Sequence, residues 1–220
     1  MLVVIAQRTS KYFLQTANRI LNRSLKVDRR QYFAFGANMD VDSLIKKSIF
    51  PATSVAAMVE DYQIEISLPC EWYGKGFASI VNRLDHQVFG VLHEVTPLEL
   101  AILDVLEWVP FNFHRRIEIS VNPIDGGDPC KAWTYIAKYP RSGLKTSIGY
   151  RNLLVKGARD LKLPDTYVDE LANLPVAESF EPDFGFRLSN PSKRRWLETK
   201  LTPFYKVHDQ WREKLCRLLP

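Results

Sequence analysis

Glu107 follows Leu103 by four residues and Leu100 by seven, so helical periodicity sets a carboxylate on the same stripe as two leucines. A carboxyl group held partly out of water tends to keep its proton to higher pH, which suits an acid/base working near neutrality. The same position is also where a helix would end, and a frayed last residue reaches water. Periodicity leaves both readings open. The second feature is Gly36-Ala37-Asn38, directly after the aromatic run Tyr32-Phe33-Ala34-Phe35. Gly and Asn there permit a tight turn whose backbone N–H groups converge on a carboxylate or a developing oxyanion, although most turns of this composition bind nothing.

The elements that must carry these groups are legible in outline. The aromatic run predicts a strand that stops at Gly36, after which Asp40 or Asp42 caps a helix through Leu44 and Ile45. Strand character recurs over residues 62–68, 77–82, 87–95, 115–121 and 131–136, divided by Gly74-Lys75-Gly76 and Asp125-Gly126-Gly127-Asp128-Pro129. Few helices intervene, so the sheet is expected to be mainly antiparallel or mixed. The helix that bears Glu107 is announced by Thr96-Pro97-Leu98-Glu99, an N-cap Thr, a Pro at the first helical position and a Glu three residues after the cap, and Pro110 stops it. Further helices are expected over about 147–161 and from Pro164-Asp165 through Leu171.

Composition narrows the chemistry. The 220 residues are 46% hydrophobic, enough for one substantial core. Cys70, Cys130 and Cys216 form no C-x-x-C pair, and the four histidines show no ligand spacing, so no metal and no disulfide framework is expected. Dinucleotide, P-loop and nucleophile-elbow motifs are missing, as is any apolar run long enough to span a bilayer. No cofactor is therefore expected. Cysteine usage points to a reducing, cytoplasmic setting, while the basic N-terminus leaves organelle targeting or peripheral membrane association open. Residues 1–27 carry five basic side chains and no acid, and residues 187–220 carry +6, so the chain between holds the remaining −6. These flanks either lie back on the acidic core or meet an anionic partner such as a membrane surface or nucleic acid. The expected organisation is a basic amphipathic extension over residues 1–30, one domain over 31–175, and a basic, aromatic extension over 176–220. Oligomerisation stays open.

Loop, glutamate and their order along the chain resemble the γ-glutamyl cyclotransferase family. Its aromatic strand ending in Tyr-Gly-Ser-Asn corresponds to Tyr32-Phe33-Ala34-Phe35-Gly36-Ala37-Asn38-Met39, and its Gly-x-Ala-x-Ile strand to Gly76-Phe77-Ala78-Ser79-Ile80. Its Val-x-Gly-Val strand corresponds to Val88-Phe89-Gly90-Val91, and its Leu-Asp-x-x-Glu helix to Leu103-Asp104-Val105-Leu106-Glu107. Its closing segment matches Tyr150, Gly157-Ala158 and Leu163-Pro164-Asp165-Thr166-Tyr167.

The resemblance implies an α+β fold, a strongly curved mixed sheet closing into a small β-barrel with helices packed outside. It implies that Glu107 is the acid/base, that backbone groups from Phe35 and Gly36 through Ala37 and Asn38 hold the glutamyl end of a small γ-glutamyl substrate, and that Tyr135 and Tyr150 line the pocket. It implies release of 5-oxoproline without a cofactor. For the two tyrosines, core packing with a satisfied hydroxyl is an equal alternative. Two departures stand out. Phe35 and Ala37 replace the family's Tyr and Ser, removing two hydroxyls, and Trp108 replaces the Gly after the catalytic Glu, bringing ~200 Å² of aromatic surface to shape the pocket. Two variants of the reading follow: removal of a γ-glutamyl protecting group from a biosynthetic intermediate with a larger leaving group, and a non-catalytic binding or regulatory domain on the same fold.

Overall fold

The computed structural model describes residues 28–70 and 75–177. Both basic flanks lie outside these residues. Five strands close a barrel in the order β1-β3-β2-β4-β5, where β1 is Arg30–Ala34, β2 Ser54–Cys70, β3 Lys75–Val95, β4 His114–Pro123 and β5 Cys130–Ala137. β1 runs antiparallel to β3, with Phe33 opposite Leu92 and Ala34 opposite Val91. β4 runs antiparallel to both β2 and β5. The barrel closes through one parallel contact of β1 with β5 at Tyr32 and Trp133, and Thr134 Oγ1 donates to the Phe33 carbonyl across that seam at 2.9 Å.

Two strands differ from the sequence expectation. β3 is one continuous strand where a break between residues 82 and 87 was expected, and β2 begins eight residues earlier than predicted. The cause is a paired kink. Asp61 and Asp85 both adopt positive φ, and the Asp85 N–H donates to Asp61 Oδ1 at 3.2 Å, so the strands bend together without separating. The solvent-facing composition around Leu84, which is 78% exposed, imitates a loop.

Alternation along β1 feeds two apolar clusters. Phe33 and Phe35 point into a core that gathers Val59, Val91, Val121 and Ala132 from the other strands. Leu154 of α3 (Ile148–Asp160) and Leu171 of α4 (Asp165–Ala172) complete it. Tyr32 and Ala34 point the other way, into a cluster with Leu44 of α1 (Val41–Lys46) and with Leu100 and Leu103 of α2 (Pro97–Leu106). That is the binary pattern of a strand buried on both faces.

α2 has the capping box the sequence announces: Thr96 Oγ1 accepts from the Glu99 N–H, and Glu99 Oε2 accepts from the Thr96 N–H at 2.8 Å. Its other carboxylate oxygen accepts from the Phe50 N–H at 2.7 Å, tying the helix start to the turn after α1. The C-terminal end is held by Asp104, which takes hydrogen bonds from Arg116 Nη1 at 2.7 Å and from the Tyr135 hydroxyl at 2.8 Å. A helix clamped at both ends sets its terminal residue firmly.

Candidate active site

That terminal residue is Glu107, the C-cap of α2, whose N–H still bonds the Leu103 carbonyl at 2.8 Å. Its side chain is 20% exposed, so the carboxylate is mostly withdrawn from water without being sealed from it. Asn38 lies on a 3₁₀ turn, Ala37–Met39, that follows β1 directly. Its Nδ2 donates to Glu107 Oε1 at 2.8 Å, joining loop and glutamate across 69 positions of chain.

Asn38 is the hub of this arrangement. Its second amide hydrogen goes to the Tyr32 hydroxyl oxygen at 2.9 Å, and its Oδ1 accepts from Lys47 Nζ. Its backbone carbonyl accepts from His93 Nε2 at 3.0 Å, which fixes the His93 tautomer, since a carbonyl cannot donate. His93 Nδ1 then accepts from the Ser54 hydroxyl at 2.8 Å, and the ring stacks on Tyr32 with centroids 5.9 Å apart.

Burial shifts these groups. Desolvation raises the Tyr32 and Tyr150 hydroxyls well above the usual tyrosine range, with Glu107's charge pushing the same way. Desolvation lowers the Lys47 ammonium, and the charge of Glu107 opposes that. His93, fully buried, is pushed down to about 4 by desolvation, against the Asn38 carbonyl contact that favours its charged form. A depressed folded-state value means that His93 contributes stability in full above its unfolded value near ~6.5 and loses it as pH falls toward 4. The melting temperature should therefore decline across that window, with a loss of about 3 kcal/mol at most, and His93→Gln should flatten the decline. Thermal melts from pH 7.5 to 4.5 check this; equal slopes for both proteins would assign the acid sensitivity elsewhere.

Tyr150 sits in the first turn of α3, where Ser147 caps the helix by accepting from the Tyr150 N–H at 3.1 Å. A methyl group built on Gly36 would stand 3.6 Å from the Tyr150 hydroxyl oxygen. The hydroxyl therefore stands over the backbone of the loop, within the field of Glu107. The first N–H groups of a helical turn have no partner inside it, so the 3₁₀ turn at Ala37 has donors to offer a ligand.

Other sequence-predicted residues are placed differently. Phe35's ring is buried in the barrel core beside Phe33, which leaves its backbone for the site. Tyr135 turns its hydroxyl to Asp104 and the Leu100 carbonyl and packs edge-on against Tyr32 at 5.7 Å. Asn38 contributes its side chain as well as the backbone expected of it. Lys47, His93 and His114 were not anticipated. His114 Nδ1 donates to the Glu107 carbonyl at 2.6 Å and lies 3.6 Å from Oε2. Only the register of β3 and β4 brings the histidines here, and no local spacing announces that.

Trp108 occupies a position that explains the family's Gly. Its φ of 56° is left-handed, and its N–H bonds the Val105 carbonyl at 3.1 Å, as in a Schellman-type helix end where Gly is commonest. A bulky residue there costs about 1–2 kcal/mol. The ring packs against Phe111 at 5.3 Å and Phe113 at 5.7 Å, pairs worth about 0.5–1.5 kcal/mol each, so packing offsets the strain. Phe111 is half exposed, and this aromatic group spans the chain between Glu107 and His114.

Among the described residues no three His, Cys, Asp or Glu side chains come together as a metal site requires, and no helix is long and apolar enough to cross a membrane. A profile described as the AIG2-like family matches residues 87–171, which include Glu107, Tyr135 and Tyr150. The bovine protein named gamma-glutamylcyclotransferase is 24% identical over 149 residues, 65% of this chain and 77% of the relative. The mouse protein of that name is 23% identical over 146 residues, 64% of this chain and 76% of the relative. A solved structure titled gamma-glutamyl cyclotransferase superposes with a TM-score of 0.62 at 19% identity, covering 70% of this chain and 92% of that one, a likeness of fold.

Proposed function

Because the chain belongs to the AIG2-like, γ-glutamyl cyclotransferase family, we propose that its pocket cyclises γ-glutamyl compounds, releasing 5-oxoproline and an amino acid or amine. The observation that supports the reading is the hydrogen bond from Asn38 to Glu107, which joins the turn after β1 to a carboxylate able to transfer protons. The substrate's α-nitrogen bonds to its own γ-carbonyl carbon, and the bond from that carbon to the leaving nitrogen breaks. Glu107 takes one proton from the α-ammonium and passes it to the leaving nitrogen as its bond breaks, and the second proton that the α-nitrogen sheds on becoming the ring amide is taken up by the released amine. Backbone N–H groups of residues 36–38, with the Tyr150 hydroxyl above them, donate to the substrate carboxylate or the oxyanion. Holding the glutamyl chain folded makes attack intramolecular in geometry as well as in connectivity. Tyr135 orients α2 through Asp104.

Incubating the protein with γ-glutamyl amino acids, glutathione and γ-glutamyl amines while measuring 5-oxoproline tests the reading. Release from at least one class is the expected result. Binding of these compounds without release would favour a non-catalytic ligand-binding domain.

Trp108 favours a version in which the leaving group is large and apolar, since the aromatic group it forms with Phe111 and Phe113 adjoins Glu107. Trp108→Gly should leave stability within about 2 kcal/mol, because relief of backbone strain offsets lost ring contacts, and should broaden the choice of leaving group. An unchanged activity profile across the panel would make Trp108 a structural substitution.

A further inference from the structure

We propose that Lys47 is a positioning residue of this site, holding one oxygen of Glu107 in place through the side-chain amide of Asn38. Its substrate consequence rests on the cyclotransferase reading; its effect on Glu107 does not.

Lys47 is the C-cap of α1, and its aim is set by a tight turn. Its N–H bonds the Leu44 carbonyl at 2.9 Å, Ser48 follows with positive φ, and the Ile49 N–H returns to the same carbonyl at 3.0 Å. Leu44 and Ile49 are both fully buried, so the turn cannot swing without unpacking the cluster beneath α2. The side chain is thereby directed at Asn38 rather than left to solvent.

An ammonium is three donors and no acceptor, so its bond to Asn38 must fall on the amide oxygen. That assigns both amide hydrogens, one to Tyr32 and one to Glu107 Oε1. A flipped amide would set its oxygen against the carboxylate and its NH₂ against the ammonium. The cation therefore specifies which face of Asn38 Glu107 meets. Among the described residues Lys47 makes no ion pair with a carboxylate, and Glu107, across the amide, is the acid whose charge acts on it. Oε1 is thus engaged, while Oε2, 3.6 Å from His114 Nδ1, is the oxygen left for proton transfer.

Among the described residues, the titratable groups that act on Glu107 are Tyr32 from β1, Lys47 after α1, His114 from β4 and Tyr150 from α3. The two hydroxyls stay neutral because burial raises them, and Lys47 is the one of these groups tied to Glu107 through the Asn38 amide. Without the ammonium the Asn38 amide is free to turn, and a carboxylate that loses a hydrogen bond favouring its charged form is harder to ionise, which moves its midpoint up.

The test is a titration of the full chain carrying ¹³C-carboxyl glutamate, with the Glu107 signal assigned by its loss in Glu107→Gln. Lys47→Met should raise the Glu107 midpoint by about half a pH unit to one unit, and Lys47→Arg should restore most of it. In an Asn38→Ala background the Lys47→Met shift should fall by at least half. Melting temperature verifies folding, and Lys47→Gln carries the same comparison if the Met variant fails to fold. An unmoved midpoint overturns the proposal, as does a full shift without the Asn38 amide, which would make the effect direct. Where the protein turns over, the acidic limb of kcat/KM should move with the midpoint. Absence of turnover in the unmodified protein would count against the cyclotransferase reading alone, because the titration needs no substrate.

Discussion

Glu107→Gln should reduce 5-oxoproline release by ~10³-fold or more while leaving the melting temperature close to that of the unmodified protein. The amide is nearly isosteric, and its oxygen can still accept from Asn38, so the hydrogen bond that seats the side chain survives. It cannot take up a proton from an ammonium at any accessible pH. A positioned acid or base contributes about 10²–10⁴-fold to such steps, and in the proposed mechanism one carboxylate both removes the proton and returns it. His114 is the neighbouring group most able to substitute, yet its Nδ1 hydrogen is committed to the Glu107 carbonyl. A folded Glu107→Gln protein that turns over within tenfold of the original would remove Glu107 from the chemistry. The assay is steady-state product formation, accompanied by a thermal melt on the same preparation.

The largest expected effect on stability comes from Gly90→Ala. A Cβ at this position would stand 2.2 Å from the Ala34 carbonyl oxygen and 2.9 Å from the Phe33 ring. The first contact is with backbone, and that backbone is fixed by the β1–β3 ladder, in which Ala34 faces Val91 and Phe33 faces Leu92. Nothing flexible can yield. Overpacking of a closed core costs about 1–3 kcal/mol where side chains can adjust, so an obstruction by backbone should exceed about 4 kcal/mol, much of a domain's stability. Loss of soluble folded protein, or a midpoint in urea displaced far below that of the original, is the expected outcome. A variant melting like the parent would mean that β1 and β3 do not approach as described. The requirement also gives the Val-x-Gly-Val motif a physical meaning: the Gly at its centre keeps β1 close enough for the loop beyond it to reach Glu107.

What could be read beforehand was what short-range chemistry dictates. Thr96-Pro97-Leu98-Glu99 fixed the start of α2, because a capping box involves residues three apart, and helical periodicity then set Glu107 beside Leu103. Two further helix starts were legible from short polar residues, one at Asp40 or Asp42, where Asp40 is the cap, and one near Ser147. Long-range facts were not accessible in this way. Lys47 looks like one of a pair of surface lysines, and only the turn closed by Ile49 directs it inward. His93 looks like a scattered histidine until the β1–β3 register sets it against Tyr32. The continuity of β3 was hidden because the exposed stretch around Leu84 has the composition of a loop, while the bond that ties it to β2, from the Asp85 N–H to Asp61, spans 24 positions of chain. Trp108 was recognisable as a departure, but the reason a Gly belongs there is a backbone angle, which composition does not report.

The parallel seam between β1 and β5 also dictates an order of assembly. Thr134 and the Phe33 carbonyl that it bonds are 101 positions apart, so a chain emerging from a ribosome has finished β1 and the Asn38 turn long before the strand that seals them exists. Until then the edge of β1 away from β3 stands open, an aromatic strand with no neighbour on that side, which is the kind of surface that invites pairing with another nascent chain. Barrels joined by such distant pairings tend to fold slowly. Tyr150 arrives later still, and a half-made chain therefore holds the hub of the site without the helix that overlies it. Activity should appear only with closure.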